Sequence, residues 1–261
     1  MLLSVIVPVY NERPFLSLVL AAISRALPDV AKEVIVVDDF SSDGTRAWLK
    51  DNFPSGERVC GEIAVSPDGN LVFGAPSSAT TIIRPIYHNR NRGKGGAIRT
   101  ALAGTRGDVI VIQDADLEYD PADWQVMYDL IAVKKVADVV FGSRFFGRPH
   151  RSLYFHHYIA NRFISLCFNI FYNQMLSDIE CCYKMYTREV KDSLGLTCDN
   201  FGIEIEFASQ VARAQKWRIY EVGISYYGRS YSEGKKITWR DGFKALWYLL
   251  KCRFTLRQRQ P

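Results

Sequence analysis

Three short apolar runs constrain this chain more than any other feature: SVIVPVY at 4–10, EVIVVDD at 33–39 and DVIVIQDAD at 108–116. Each is a nearly unbroken string of Val and Ile rather than an alternation of apolar and polar residues. A strand with one wet face alternates, whereas a strand covered on both faces reads as continuous apolar sequence. Between the runs lie segments with helical spacing of apolar residues: Pro14 to Leu27, and a stretch opening at Gly44-Thr45 with Asp43 as a candidate cap. This alternation predicts an α/β fold with a mostly parallel, Rossmann-like sheet and helices on both of its faces. Further strands are expected at 137–144 and 217–227. A chain of 261 residues can bury a sizeable core in one such domain. Residues 55–83 break the rhythm, and the turn signal Pro67-Asp68-Gly69-Asn70 predicts a hairpin-like insertion there.

Each apolar run opens onto acids: Glu12 after the first, Asp38-Asp39 closing the second, and Asp114, Asp116, Glu118 and Asp120 after the third. Ligands of open α/β sheets bind beyond the carboxyl ends of the strands. Helix capping accounts for Asp120 and Asp123, at the start of a helix expected over Asp120–Ile131. It does not account for acids arriving at one edge from three strands, which predicts a shared site. Carboxylates two apart on a strand point in opposite directions, but they converge where the chain turns. Asp114, Asp116 and Glu118 are therefore the candidate ligands of a hard cation, Mg²⁺ or Mn²⁺, which prefers such oxygens and completes its shell with phosphate and water.

Charge is unevenly placed. The net charge is +5, yet residues 229–261 carry nine Lys/Arg against two acids, so the rest of the chain is slightly acidic. That distribution suits an anionic ligand or surface at the C-terminal end, and no nucleic-acid partner is expected. In DGFKALWYLLKCRF (241–254), Phe243, Leu246, Trp247, Leu250 and Phe254 share one helical face, with Lys244, Lys251 and Arg240 on another. Such an amphipathic helix lies in a bilayer interface or docks on the protein's own core. The aromatic stretch 158–176 is a candidate amphipathic acceptor-site helix, although its Phe and Leu positions taken alone read as core rather than membrane. The N-terminal MLLSVIVPVY reads as a strand rather than a signal peptide, and no apolar run is long enough to span a membrane. The six cysteines lack metal-ligand spacing and are expected to be reduced thiols; His156-His157 have no third ligand partner. These features together predict a cytoplasmic protein, peripheral on the cytosolic face of a membrane.

The segments VPVYNE (7–12), VVDDFSSDGT (36–45), NRGKGGAIRTAL (91–102), DADLEYDP (114–121), GSRF (142–145), SDIECCYKMYTREV (177–190) and RSYSEGKKI (229–237) stand in one order along the chain. In that combination the chain resembles the family 2 inverting glycosyltransferases of the GT-A fold. Within them it is similar to dolichyl-phosphate mannose synthases and other polyprenyl-phosphate glycosyltransferases. The resemblance implies a GT-A catalytic domain over 1–228 and a basic C-terminal segment over 229–261. It implies that Pro8, Tyr10, Glu12, Val37 and Asp39 hold the nucleotide of a GDP-mannose or UDP-hexose donor. Asp114, Ala115 and Asp116 would line the nucleotide-sugar, with Asp116 and Glu118 on the metal. Arg144, Arg229 and Lys235 would surround the phosphates, and Arg162 with Ser165 would meet the acceptor.

Lys94 sits in a glycine-rich helix entry whose N-terminal amides can face phosphate, although the Gly-x-x-x-x-Gly-Lys-Ser/Thr spacing of a P-loop is missing. Three departures from the family pattern stand out. Glu118 occupies a place where the mannose synthases often carry Gln. SDIECC replaces Asp-x-Thr-Ser-Gly. Asn161 stands where an Arg commonly precedes the acceptor-side Ser by four residues.

A polyprenyl phosphate acceptor is largely anionic near neutral pH and needs cations more than a base. A sugar or polysaccharide hydroxyl needs a carboxylate base, for which Asp178 is the candidate. A non-catalytic nucleotide-sugar-binding module and a nucleotidyltransferase on a similar scaffold are the more distant alternatives.

Overall fold

The computed structural model describes residues 1–76, 79–147, 149–152, 154–230 and 239–255. The chain opens with β1 (Leu2–Val9), α1 (Arg13–Arg25), β2 (Ala31–Asp38) and α2 (Thr45–Asn52). Three short strands follow, β3 (Arg58–Cys60), β4 (Ile63–Val65) and β5 (Leu71–Phe73), then β6 (Thr81–Tyr87), α3 (Gly93–Gly104) and β7 (Val109–Ile112). Beyond the acidic loop come α4 (Trp124–Tyr128), β8 (Val139–Ser143), α5 (Phe155–Tyr172), β9 (Lys184–Thr187), α6 (Arg188–Ser193), α7 (Ile203–Ala214), β10 (Ile219–Gly223) and α8 (Trp239–Thr255).

Eight strands form one sheet in the order β10-β8-β9-β7-β1-β2-β6-β3. Pairings β1–β2, β1–β7, β2–β6 and β8–β10 are parallel, so the expected α/β architecture is present. All four residues of β7 and most of β1 and β2 are buried, which is what their unbroken Val/Ile sequence demands. The order places the site. The chain runs outward from β1 through β2 to β6, then crosses back to β7 on the other side of β1. The crevice beyond the carboxyl ends of β1 and β7 is the switch point where such sheets take ligands.

Several elements differ from the sequence reading. Only β4 and β5 form the separate hairpin, with Ile63 opposite Phe73 and Val65 opposite Leu71. The stretch Thr81–Ile83, included in the expected 55–83 insertion, belongs to β6 and pairs in parallel with β2. Arg84 and Pro85 interrupt its apolar run and mask the strand. β9 is antiparallel to both β7 and β8 and separates them; four residues, KMYT, are too few to show a period. The helix expected over Asp120–Ile131 is a 3₁₀ turn at Pro121–Asp123, then α4, then a π-helical turn at Asp129–Val133. Asp120 does cap it, accepting from the Ala122 amide at 2.9 Å. Asp43 does more than cap one helix. Its carboxylate accepts from the Thr45 amide at the start of α2 and from the Arg13 amide at the start of α1, both at 3.0 Å.

Candidate active site

All three strands that end at the switch point leave it through a residue with positive φ: Asn11 at 56°, Phe40 at 67° and Leu117 at 60°. Non-glycine residues seldom take this conformation, and it concentrates where function requires a sharp change of direction. At Leu117 the consequence is direct. The left-handed residue folds the chain back, the Glu118 amide donates to Asp116 Oδ1 at 3.1 Å, and both carboxylates turn toward one point. That is the convergence a plain strand would forbid.

The point is occupied by Arg229. Its Nη2 lies 3.1 Å from Asp116 Oδ2, its Nε 3.3 Å from Glu118 Oε1, and its Nη1 3.4 Å from Glu12 Oε2. Its backbone amide also donates to Glu118 at 2.9 Å, and the Tyr226 hydroxyl donates to Glu118 Oε2 at 3.0 Å. The acidic loop is held from below by aromatic packing. Tyr119 lies 5.0 Å from Tyr183 and 5.4 Å from Tyr226, ring centroid to centroid, and the Tyr183 hydroxyl donates to Gln113 at 2.6 Å. Burial, reinforced by the charges of Asp114 and Glu118 and only partly opposed by Arg229, pushes the Asp116 carboxyl up to about 7.

Asp114 is turned elsewhere. Lys94 Nζ lies 2.8 Å from its carboxylate and 3.2 Å from Glu204, and Glu204 in turn meets Lys184 Nζ at 2.5 Å. The chain Asp114–Lys94–Glu204–Lys184 thus runs from the end of β7 through the first turns of α3 and α7 to β9. Two sequence expectations change here. Lys94 is spent on two carboxylates rather than facing a phosphate. Asp114 is neutralised by Lys94, so the expected three-acid metal set contracts to Asp116 and Glu118. Among the described residues no group of three His, Cys, Asp or Glu is placed to hold a metal ion by itself. The two remaining carboxylates still fit a hard divalent cation. They are oxygen donors drawn together on a positive charge, and Mg²⁺-type sites commonly use one or two carboxylates with substrate phosphates completing the shell.

The glycine-rich entry to α3 also has another role. A Cβ on Gly93 would lie 2.3 Å from the Asp199 carbonyl oxygen, and one on Gly95 2.3 Å from that of Cys198. These glycines let α3 approach the 198–200 loop. Two amides at the helix entry are already bonded: the Asp39 carboxylate accepts from the Arg92 and Gly93 amides at 2.8 Å each, with His88 Nδ1 at 2.7 Å. Asp39, expected near base and ribose, therefore spends its carboxylate on the fold. Of the other expected nucleotide contacts, Val37 and Ala115 are buried, Pro8 lies opposite Val37 in the β1–β2 register, and Tyr10 is exposed.

On the other side of β7 lies a second cluster. Arg144, at the end of β8, makes a forked pair with Asp178, Nε to Oδ2 and Nη2 to Oδ1 both at 2.7 Å, and its amide adds a third bond at 3.1 Å. Asp178 is fully buried. Both of its oxygens are committed, so it is not placed to serve as the base expected for a hydroxyl acceptor. Ser165 is buried too and accepts from the Ile179 amide at 3.2 Å, which takes it away from acceptor contact. Arg162 reaches the Ser177 carbonyl at 3.4 Å from an exposed position. Glu180 and Asn161, which carried no role in the sequence reading, complete this cluster. The signal was present as two departures from the family pattern, but their proximity was not visible. Lys235 lies outside the described residues.

A sequence profile of Glycosyl transferase family 2 matches residues 4–61 and 76–195. The unmatched 62–75 coincides with the β4–β5 hairpin. The low-salt glycan biosynthesis hexosyltransferase Agl6 of Haloferax volcanii is 26% identical over 95% of this chain and 53% of its own length. The undecaprenyl-phosphate 4-deoxy-4-formamido-L-arabinose transferase of Aeromonas hydrophila is 25% identical over 90% of this chain and 62% of its own. The chain thus spans little more than half to three-fifths of these relatives. Among solved structures, glucosyl-3-phosphoglycerate synthase from Mycobacterium tuberculosis with Mn²⁺ and UDP-glucose superposes with a TM-score of 0.66 at 17% identity, covering 98% of this chain and 80% of that one. That likeness is one of fold, and the fold is that of the GT-A glycosyltransferases. With the profile matched on both sides of the hairpin, across the sheet that carries the acids, the chain belongs to glycosyl transferase family 2.

Proposed function

We propose that this protein transfers a hexosyl group from a nucleoside-diphosphate sugar to a polyprenyl (dolichyl or undecaprenyl) phosphate at the cytosolic surface of a membrane. The donor half of the reading is supported by the acids at the switch point and by the Mn²⁺ and UDP-glucose named for the mycobacterial fold neighbour. The acceptor half is supported by the Aeromonas relative, named for undecaprenyl phosphate.

One observation carries the membrane part. The sequence offered 158–176 as an amphipathic acceptor-site helix whose Phe and Leu positions alone read as core; in α5, Phe155, Ile159, Phe163, Leu166 and Ile170 are between 49% and 73% exposed. They recur at three- and four-residue spacing along one outer stripe, while Asn161 and Ser165 face the acceptor-side cluster. An apolar patch of this extent marks a partner or a bilayer. α8 packs against α5 and α7 and buries Ala245, Leu249 and Cys252, and it leaves Trp247, Leu250 and Phe254 exposed together with Lys244 and Lys251. Aromatics and cations in that arrangement suit an anionic lipid surface. No helix among the described residues is long and apolar enough to cross a membrane. We treat 1–228 as the catalytic domain and 229–261 as a basic appendage, although Arg229 reaches back across that boundary into the site.

In this reading Asp116 and Glu118 hold Mg²⁺ or Mn²⁺, which when bound neutralises negative charge growing on the departing diphosphate. Arg229 and Lys235 bind the diphosphate, and Arg144 orients the acceptor phosphate. The forked pair with Asp178 fixes the Arg144 guanidinium in advance, so little ordering is left for the reaction itself. Glu12, Pro8 and Tyr10 bound the nucleotide end of the crevice.

The test is to incubate the protein with Mn²⁺, a panel of labelled UDP- and GDP-hexoses and a short polyprenyl phosphate, and then extract the lipid. Label in the organic phase is expected, and label confined to water rejects the lipid acceptor. Phe163→Glu with Ile170→Glu should abolish sedimentation with anionic vesicles and leave donor binding intact.

A further inference from the structure

Tyr226 touches both halves of the site. Its hydroxyl donates to Glu118 Oε2 at 3.0 Å, and Arg144 Cζ lies 5.4 Å from the centre of its ring. Glu118 belongs to the acidic loop that follows β7, and Arg144 to the cluster beyond β8. One side chain therefore spans from the expected metal ligands to the arginine of the acceptor-side cluster. No motif singled it out: it lies beyond residue 195, where the family profile ends.

The residue is itself held on several sides. Its backbone bridges antiparallel to Tyr119 of the acidic loop and parallel to His150. Its amide donates to the Pro149 carbonyl at 3.0 Å, and its carbonyl accepts from the Arg151 amide at 2.9 Å. The Tyr119 ring packs 5.4 Å away, and the following amide, of Tyr227, donates to the Glu118 carbonyl at 2.9 Å. A side chain anchored this way can fix what it touches, because its own rotamer is locked by packing. Its two ends act differently. The hydroxyl makes a charge-assisted hydrogen bond that orients the Glu118 carboxylate. The ring attracts the guanidinium through its π face, and Phe145 adds a second ring 5.6 Å from the same Cζ. The fork to Asp178 fixes how the guanidinium is turned, and the rings limit how far it can shift.

We infer that Tyr226 is a positioning residue: it sets the separation between Glu118, on the donor side, and Arg144, on the acceptor side. The inference rests on the sugar-transfer reading above, in which Glu118 holds the metal and Arg144 the acceptor phosphate. Transfer requires the acceptor oxygen within about 3–3.5 Å of C1 of the sugar, and small displacements from that geometry cost rate steeply. A residue joining the two holding groups therefore acts on kcat as well as on binding.

The test separates hydroxyl from ring in the full chain. Tyr226→Phe removes the first and keeps the second, and Tyr226→Leu removes both. Mn²⁺ binding is followed by the free-ion EPR signal, binding of a short polyprenyl phosphate by calorimetry, and transfer as kcat and acceptor KM. Phe should weaken Mn²⁺ about tenfold, within the range for partners of metal-ligating carboxylates. Its melting temperature and its affinity for lipid phosphate should stay as they were. Leu should weaken Mn²⁺ by the same factor and lipid phosphate about fivefold, with acceptor KM rising to match. With metal and acceptor saturating, kcat should still fall about tenfold in both variants.

A tyrosine that only stabilises the fold would give lower melting temperatures and no such split, which overturns the inference. So does a Phe variant with unaltered Mn²⁺ affinity and kcat, or a Leu variant with unaltered affinity for lipid phosphate. Should Leu fail to fold, Tyr226→Met, closer in length, carries that arm. An unaltered protein that binds Mn²⁺ and hydrolyses donor yet does not bind lipid phosphate rejects the lipid acceptor and the ring's half of the inference, a failure visible without any variant.

Discussion

Arg229 and Arg144 sit on opposite sides of β7 and are matched to acids in opposite ways. Arg144 meets one aspartate, oxygen for nitrogen, with both forks at 2.7 Å. Arg229 is shared among Asp116, Glu118 and Glu12 at 3.1 to 3.4 Å, one guanidinium on three carboxylates among the described residues. On the proposed acceptor side the arginine is thus already paired and ordered by the chain itself. On the proposed donor side burial and the neighbouring carboxylates raise Asp116 to about 7, so its ionised form gains from a further cation. Two arginines at one sheet edge are therefore placed differently: one is a fixed point on a single aspartate, the other a counter-ion shared among three carboxylates.

The contrast is broken most strongly by Asp116→Asn. Transfer should fall at least 10³-fold, on the order of 4 kcal/mol, because a ligand for charge stabilisation is lost. Metal-free stability in urea at pH 8 should hold or rise, because a crowded charge has gone. Equal losses of stability and turnover would make the donor acids structural. Arg144→Ala should do the reverse and cost about 3 kcal/mol in urea unfolding, since it strands Asp178 as a buried charge without its partner. Removing Asp178 as well should return part of that loss.

The third expectation concerns pH. Asp116 is raised from 3.8 to about 7, so between those values the folded state holds a proton that the unfolded chain has given up. Its stabilising contribution is complete below pH 4 and disappears as pH rises toward 7. At about 1.4 kcal/mol per pH unit the bound is about 4 kcal/mol, and solvent access at the loop reduces the expectation to about 2 kcal/mol. Melting temperatures in EDTA should fall across that range, Mn²⁺ should restore them, and Asp116→Asn should flatten the slope. The smallest effect is Glu118→Gln. It keeps a ligand oxygen and bonds to Arg229 and Tyr226, so turnover should drop by less than about tenfold. Mn²⁺ titrations of activity should shift to weaker affinity.

Much of this contrast was readable before any coordinates. Glu12, Asp116 and Glu118 were placed together because acids at the ends of continuous Val/Ile runs meet at one edge of a parallel sheet, whereas Arg229 came only from the resemblance to family 2 glycosyltransferases, which set it among the phosphates. Lys94 was misread because a glycine-rich helix entry looks alike whether it cradles phosphate or packs on another loop. Gly93 and Gly95 face the backbone at 198–199, which is a hundred residues away in sequence. Asp178 was named as the candidate base for a hydroxyl acceptor because of the motif it stands in, and only the fork to Arg144 shows that both of its oxygens are spent. For α5 the sequence left an acceptor-site helix and a core helix both open, because periodicity reports which face is apolar, not what covers it.

By itself the sequence determined the layered α/β fold, the edge at which the site lies and the acids that arrive there. Strand burial and residue order are local properties, and they are written in composition and period. The tertiary structure decided how the charges are spent: Asp114 on Lys94, Asp39 on the entry to α3, Asp178 on Arg144, with Asp116 raised by burial and its neighbours. Those outcomes depend on distances between residues far apart in the chain, and ion pairing and burial change too steeply with distance for spacing along a sequence to fix them.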